Sequence, residues 1–300
     1  MSEYGLTISG PEQETVSEVT IENYSLSCML RALWAVVKRE LIIFIRYPTW
    51  VVAIFIWPVL FPLPYIFGGK ALAGPNQVGM VTFSRLTGMS DYVGFVAIGS
   101  LLWMWMNMVL WSFGNHLRNE QVRGTLESNW LSPLPRIFLL AGAGISNCLI
   151  QSAVIFISLL EFYLFLGVKI QGNPLLILLV LLFIIPSIYG IGLLFASLVI
   201  WAKEVNTMVF LVRGIMMIFC GVSFPLTVMP EWMQVVSKWI PITYGIRAFR
   251  LAYLTKKGFE AIKGDLLILG IFGLIFFILG ILAFALSERF VKRKGTLGVY

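Results

Sequence analysis

At 300 residues the chain is long enough for two soluble domains, but 59% hydrophobic, 14% aromatic and 12% charged residues, with a mean hydropathy of +0.89, is not a soluble composition. It reads as an all-α integral membrane protein, which excludes a soluble enzyme, a disulfide-stapled secreted domain and a DNA-binding protein. The net charge of +7 hides an asymmetry: residues 1–28 hold five Glu and no Lys or Arg, leaving +12 for the remainder, a basicity that suits anionic lipid and does not imply nucleic acid.

Residues 1–25 are acidic and rich in Ser and Thr, without the basic start and apolar run of a signal peptide, and are expected to form a flexible cytosolic tail. Residues 26–47 differ. At 100° per residue Arg31, Lys38, Arg39 and Arg46 share an arc, while Leu30, Leu33, Trp34, Val37, Leu41 and Phe44 face away, as in an amphipathic helix lying on a membrane surface.

Six stretches without Asp, Glu, Lys or Arg follow, at 47–69, 92–117, 137–160, 170–202, 214–230 and 266–287. Each reaches or approaches the roughly 20 apolar residues that cross a bilayer, so residues 48–290 are expected to form a six-helix transmembrane domain. Span 1, about 49–68, contains Pro58, Pro62 and Pro64 and should kink in its outer half. Span 2 covers about 92–114, span 3 about 137–167, span 4 about 174–200 with Pro186 inside, span 5 about 207–227 and span 6 about 266–287. Between spans 5 and 6 the mixed segment 228–265 includes an amphipathic piece bounded by Pro230 and Pro241, and a basic tail closes the chain at 291–300.

An even number of spans puts both ends on one side. With the ends inside, cytosolic segments hold 12 basic residues and outer segments 9, six of the latter in 228–265. The margin widens to 12 against 3 if that segment folds back on the membrane face.

Chemistry is notable mainly for what is missing. No GxxxxGK[ST] occurs, so the chain has no phosphate cradle of its own. Cys28, Cys148 and Cys220 stand alone, and His116 is the single histidine, which excludes a Cys/His metal motif and a disulfide framework. Glu161 is the one carboxylate inside a span, too little for an ordinary proton-coupled carrier. Energy therefore comes from elsewhere, or the protein is a passive channel or membrane enzyme.

The informative stretch is HLRNEQVRGTLESNWLSPLPR between spans 2 and 3. Span 3 is about 30 residues, roughly 45 Å, and overshoots the bilayer into the cytosol. Before it the sequence reads as a helix that stops at Gly124 and restarts with Thr125 as N-cap and Glu127 in the first turn, ended by Pro133 and Pro135. A charged, rigid knob between two long helices suits a lever that receives motion from a soluble partner; a plain solvated loop is the alternative.

Glu120, Gly124, Thr125, Leu126, Glu127, Pro133 and Arg136 resemble the E-x-x-x-GTLE-x-x-x-x-x-P-x-x-R pattern of ABC-2 type permeases, the membrane subunits of a class of ATP-binding-cassette exporters. A second block, with Pro225, Pro230, Trp232, Pro241, Thr243, Tyr244 and a following Arg, is similar to a later segment of that family, and Arg46-x-Pro48 to its lead into span 1. The resemblance covers about 26–290; the acidic tail is outside it.

It implies six spans with both termini cytosolic, an interface helix before span 1, coupling elements after spans 2 and 4, and re-entrant helices between spans 5 and 6. It further implies a homodimer in a prokaryotic inner membrane, joined by two copies of an ABC ATPase subunit. ATP and Mg would bind those partners and no cofactor this chain, which is then a transport subunit and not an enzyme. The ATPase-coupling residues would be Glu120, Arg123, Gly124, Thr125, Leu126 and Glu127, with Glu204 in the link after span 4.

Residues for a substrate path are Trp103, Asn107 and Trp111, spaced at four on span 2, with Arg213 and Phe219 on span 5. Arg213 either snorkels inward or lines a cytosolic vestibule, while Glu161, at a different depth, is expected to meet Lys169 or a base of 228–265. Hydrophobic or amphipathic molecules such as drugs and lipids are the expected cargo. Lipid-linked glycan is the alternative cargo, and an ATP-independent channel or carrier the alternative class.

Overall fold

The computed structural model describes residues 26–115, 136–202 and 205–294. It is all-helical, with no strand among the described residues. The first helix, α1 (Leu26–Arg46), packs on the early turns of α6 (Arg136–Leu166). Small residues make that contact close: Gly142 has no room for a Cβ beside Val36, and the Ser146 hydroxyl donates to the carbonyls of Val37 at 3.3 Å and Gly142 at 2.8 Å. Leu30, Trp34 and Ile45 of α1 stay exposed.

The first long apolar stretch is two helices, α2 (Pro48–Leu60) and α3 (Leu63–Leu72). The break at Phe61–Pro62 has the expected cause, since neither Pro62 nor Pro64 has an N–H to give the carbonyl four residues back. What the sequence reading passed over is α4 (Val78–Thr87), entered through left-handed Asn76 and Gln77 and closed by Gly88 at φ +68°. Its Phe83 lies edge-on to Tyr92 and Phe95 at 5.2 and 5.0 Å.

Helix α5 (Tyr92–Gly114) is the buried centre of the fold, with Asp91 as N-cap accepting from the Gly94 N–H at 2.8 Å. The long helix α6 runs antiparallel to it, bringing Gly144 against Phe113, and stops where Gly167 takes φ +70°. Next come α7 (Pro174–Ala202) and α8 (Val205–Phe219), then two short helices, α9 (Glu231–Ser237) and α10 (Pro241–Leu254), and finally α11 (Lys263–Lys294).

Helices α7 and α11 form the most extensive pairing, and they run parallel. Ser187 donates to the Leu269 carbonyl at 3.0 Å, Gly190 abuts the backbone of Phe276 and Phe277, and Gly280 abuts Leu193. Further on, the Ser287 hydroxyl reaches the Ser197 carbonyl at 3.4 Å. Small residues at successive turns let the backbones approach, the usual solution where lipid removes the hydrophobic drive between helices.

Among the described residues five stretches are long and apolar enough to cross a membrane: Pro48–Leu72, Tyr92–Gly114, Leu140–Leu166, Pro174–Val199 and Lys263–Ser287. At 15 residues, α8 is only about 22 Å long. The expected fifth span overran it, because Gly221 adopts φ +64° and Pro225 extends the chain, ending helix where hydrophobicity continues. Packed antiparallel to α5, with Val205 beside Gly114 and Arg213 beside Trp103, α8 returns the chain toward the level of Phe95, where α9 and α10 lie. The C-terminal ends of α5, α7 and α11 and the N-terminal ends of α6 and α8 thus share one face, with α1 alongside.

Candidate functional site

A cleft of about 970 Å³ opens between α1 and α2 on one side and α5 and α6 on the other. Along α5 it reaches from Asn115 to Leu101, about 21 Å. Its walls are chiefly apolar and aromatic, with Trp50 and Trp57 from the first stretch facing Trp105 and Trp111 of α5. Polar groups interrupt them. Of these, Ser146 and Asn147 are occupied, the latter accepting from the Tyr189 hydroxyl at 2.8 Å, and Asn115 donates to the Trp111 carbonyl at 3.2 Å.

Two carboxamides are not. Gln151, 7% exposed, has no hydrogen bond among the described residues, and the Asn107 Oδ1 is buried without a partner. A buried polar group left in that state costs about 1–3 kcal/mol, so such residues mark where a fold has reserved bonding capacity. Among the described lining residues Glu40 is the only carboxylate, held by Arg39 at 2.7 Å, and there is no Lys, Arg or His.

Of the residues expected to line a path, Asn107 and Trp111 face this cleft and Trp103 does not. A spacing of four drifts about 40° per step around a helix, enough over two steps to part them. Trp103 instead stacks on Phe61 at 4.9 Å and its indole N–H donates to the Arg213 carbonyl at 3.0 Å. Arg213 has no ion pair among the described residues; its guanidinium lies over the rings of Phe210, at 4.5 Å, and Trp103, at 5.9 Å. Phe210 meets Trp111 edge-on at 6.0 Å. Arg213 therefore sits behind the cleft wall, while Phe219 is elsewhere, edge-on to Trp232 at 6.0 Å beside α9.

Glu161 is buried with its Oε2 unpartnered, and the expected base is absent among the described residues. Lys169 lies past the Gly167 turn, exposed, Arg247 is held by Asp265 and Lys263 by Glu260. Glu161→Gln removes a carboxylate that has no counter-ion, so its thermal unfolding midpoint in detergent is expected to equal or exceed the parent's; a clear fall would reveal a partner. The coupling residues Glu120, Arg123, Gly124, Thr125, Leu126, Glu127 and Glu204 lie outside the described residues, as do the acidic tail 1–25 and the last six positions.

Arg250 was missed as a structural centre. It is 5% exposed, and its guanidinium donates to the carbonyls of Phe95 at 2.9 Å, Gly221 at 2.9 Å and Val222 at 2.6 Å while lying 3.4 Å over the Phe95 ring. Gln151 was missed for another reason: a scan for charges inside spans passes over amides. Weighing uncharged amides within charge-free stretches would have found it.

Several long apolar helices, small-residue packing and an aromatic cleft make this a multi-pass membrane protein of the transporter kind. The family model described as ABC-2 type transporter matches residues 31–254, and the chain belongs to that family. Its members are transport subunits that generally work with an ATPase subunit. No curated protein matches the chain.

Proposed function

We propose that the chain is the membrane-spanning subunit of an ABC exporter that moves a hydrophobic or amphipathic substrate, a drug or a lipid, out of the cytoplasm with energy from a separate ATPase. The family match carries this reading, and an apolar cleft with a few convergent polar groups is what such a cargo would use. Asn107 and Trp111 belong to its path; Trp103 and Arg213 support the wall.

In this reading the protein crosses an inner membrane six times, the short α8 and the residues after it completing the fifth passage. The parallel course of α7 and α11 supports an intervening return, and the shared face of α1 and the end of α11 supports both termini in the cytosol. Helix α1, whose exposed Leu30, Trp34 and Ile45 alternate with bases, rests at the lipid surface, and α9 and α10 fold back on the opposite face. The chain then divides into tail 1–25, interface helix 26–47, transmembrane domain 48–290 and basic tail 291–300. Two copies assemble with two ATPase chains, and ATP with Mg binds to those.

Reconstitution with its ATPase is the test: export of an amphipathic dye is expected to require ATP, and transport by the permease alone would overturn the reading. A cysteine at position 128, in a protein freed of its native cysteines, is expected to resist an impermeant reagent added outside intact cells. Glu127→Lys places a base where the sequence predicts a helix start, a position at which an acid is favoured by roughly 0.3–1 kcal/mol. It is expected to depress cargo-stimulated ATP hydrolysis and transport severalfold while cargo binding stays near normal. Equal loss of binding would make the segment part of the cargo path instead of a lever.

A further inference from the structure

The cleft has a chemistry more specific than apolarity. Asn107 is six residues before Phe113 and Gln151 seven after Gly144, and Phe113 and Gly144 meet across the antiparallel α5–α6 pair, so the two carboxamides fall at the same level on facing helices. Both line the cleft; the Asn107 Oδ1 is buried without a partner and Gln151 makes no hydrogen bond among the described residues. An amide offers donors and an acceptor together. Trp57 and Trp111 supply aromatic surface in the same cleft, and Glu40, the single charge there, is neutralised by Arg39.

We infer that this cleft binds an amphiphile whose head is uncharged and carries hydroxyl or amide groups. Such a head satisfies the Asn107 and Gln151 amides by donating and accepting at once, while its chain lies along the tryptophans. An anionic head would meet no basic residue among the described residues of the wall and lose its hydration with nothing there in exchange. The distinction separates cargo classes, since a lipid-linked glycan bears phosphate next to its chain. The inference refines the exporter reading by naming the cargo's head chemistry, yet binding is measurable on the permease without an ATPase.

The experiment uses the full chain in phosphatidylcholine nanodiscs and a monoacylglycerol with a photoreactive diazirine in its acyl chain. After illumination, labelling is mapped by peptide mass spectrometry on α5 and α6 and, as an internal reference for ordinary lipid contact, on the exposed 274–282 stretch of α11. Cleft labelling is expected to saturate and to be displaced by unlabelled monoacylglycerol at concentrations at least tenfold below those needed of lysophosphatidic acid, which differs by the phosphate alone. Gln151→Leu and Asn107→Leu should each lower cleft labelling about fivefold or more and leave the α11 reference unchanged. Since each removes an amide without a partner, the unfolding midpoint without ligand should hold or rise, and whichever variant retains it decides the matter. Equal displacement by lysophosphatidic acid, or parental labelling in a folded leucine variant, overturns the inference. Saturable labelling without ATP-driven transport would instead count against the exporter reading alone, and transport with phosphate-preferring labelling against this inference alone.

Discussion

Gly190→Val is expected to leave almost no folded protein. A Cβ at this position would lie 2.6 Å from the Phe277 nitrogen and 2.7 Å from the Phe276 carbonyl carbon, and neither is the movable end of a side chain. The only relief is to push α7 and α11 apart, which also strips the contacts at Gly273 and Gly280 on either side. Overpacking a tight site costs typically 1–3 kcal/mol when side chains can yield, and a backbone clash in the longest interface should exceed that range. Fluorescence-detected size exclusion of a detergent extract, compared with Gly214→Val, where a Cβ meets open space, checks it. A normal Gly190→Val profile would mean that the two helices are not held this closely.

Arg250→Met should be nearly as damaging. Its guanidinium joins three elements at once: α10, the Phe95 turn of α5, and Gly221 and Val222 in the turn that follows α8. The carbonyl dipoles of Phe95, Gly221 and Val222 converge on the guanidinium and act as a diffuse counter-charge where the described residues supply no carboxylate. Methionine keeps the bulk and leaves three buried carbonyls without this donor, each such loss costing roughly 1–3 kcal/mol. Lysine keeps the charge but lacks the planar fork and should recover only part. Chemical unfolding in mixed micelles measures the loss; a change near zero would show that the carbonyls find other donors. Gly99→Ala probes the same joint from α5, since its Cβ would run into the Arg250 Nη2 and the Val222 carbonyl oxygen.

Hydropathy and proline made most of this fold legible. Span 2 matched α5, and the stops at Gly167 and Pro62 followed from conformations that the residue types impose. Periodicity failed where apolar composition outlasted helix, after Phe219, since a hydrophobic count cannot distinguish helix from an extended chain buried by its neighbours. It also passed over α4, which is neither long nor strongly apolar. In the cleft, Asn107 and Trp111 were visible as polar and aromatic groups on one helix, whereas Gln151 depends on α6 facing α5, a tertiary fact. Trp103 misled because its indole is committed to Phe61 and Arg213, partners distant in sequence.

The parallel course of α7 and α11 has a mechanical meaning. Joined by small residues over most of their length, they form one strut; the 29 residues of α7 alone reach about 44 Å. At the strut's far end Asp265 grips Arg247 and Ile184 fills the space beside Gly245, so α10 is bolted to it. Force applied at Ala202 would therefore travel to α10 undivided instead of being absorbed by sliding between helices. On the opposite flank the sparsely buried α2 and α3 break at Pro62 beside the cleft, where fewer contacts resist bending. A chain built this way should resist bending on one side and yield on the other, and the cavity lies along the side with fewer contacts.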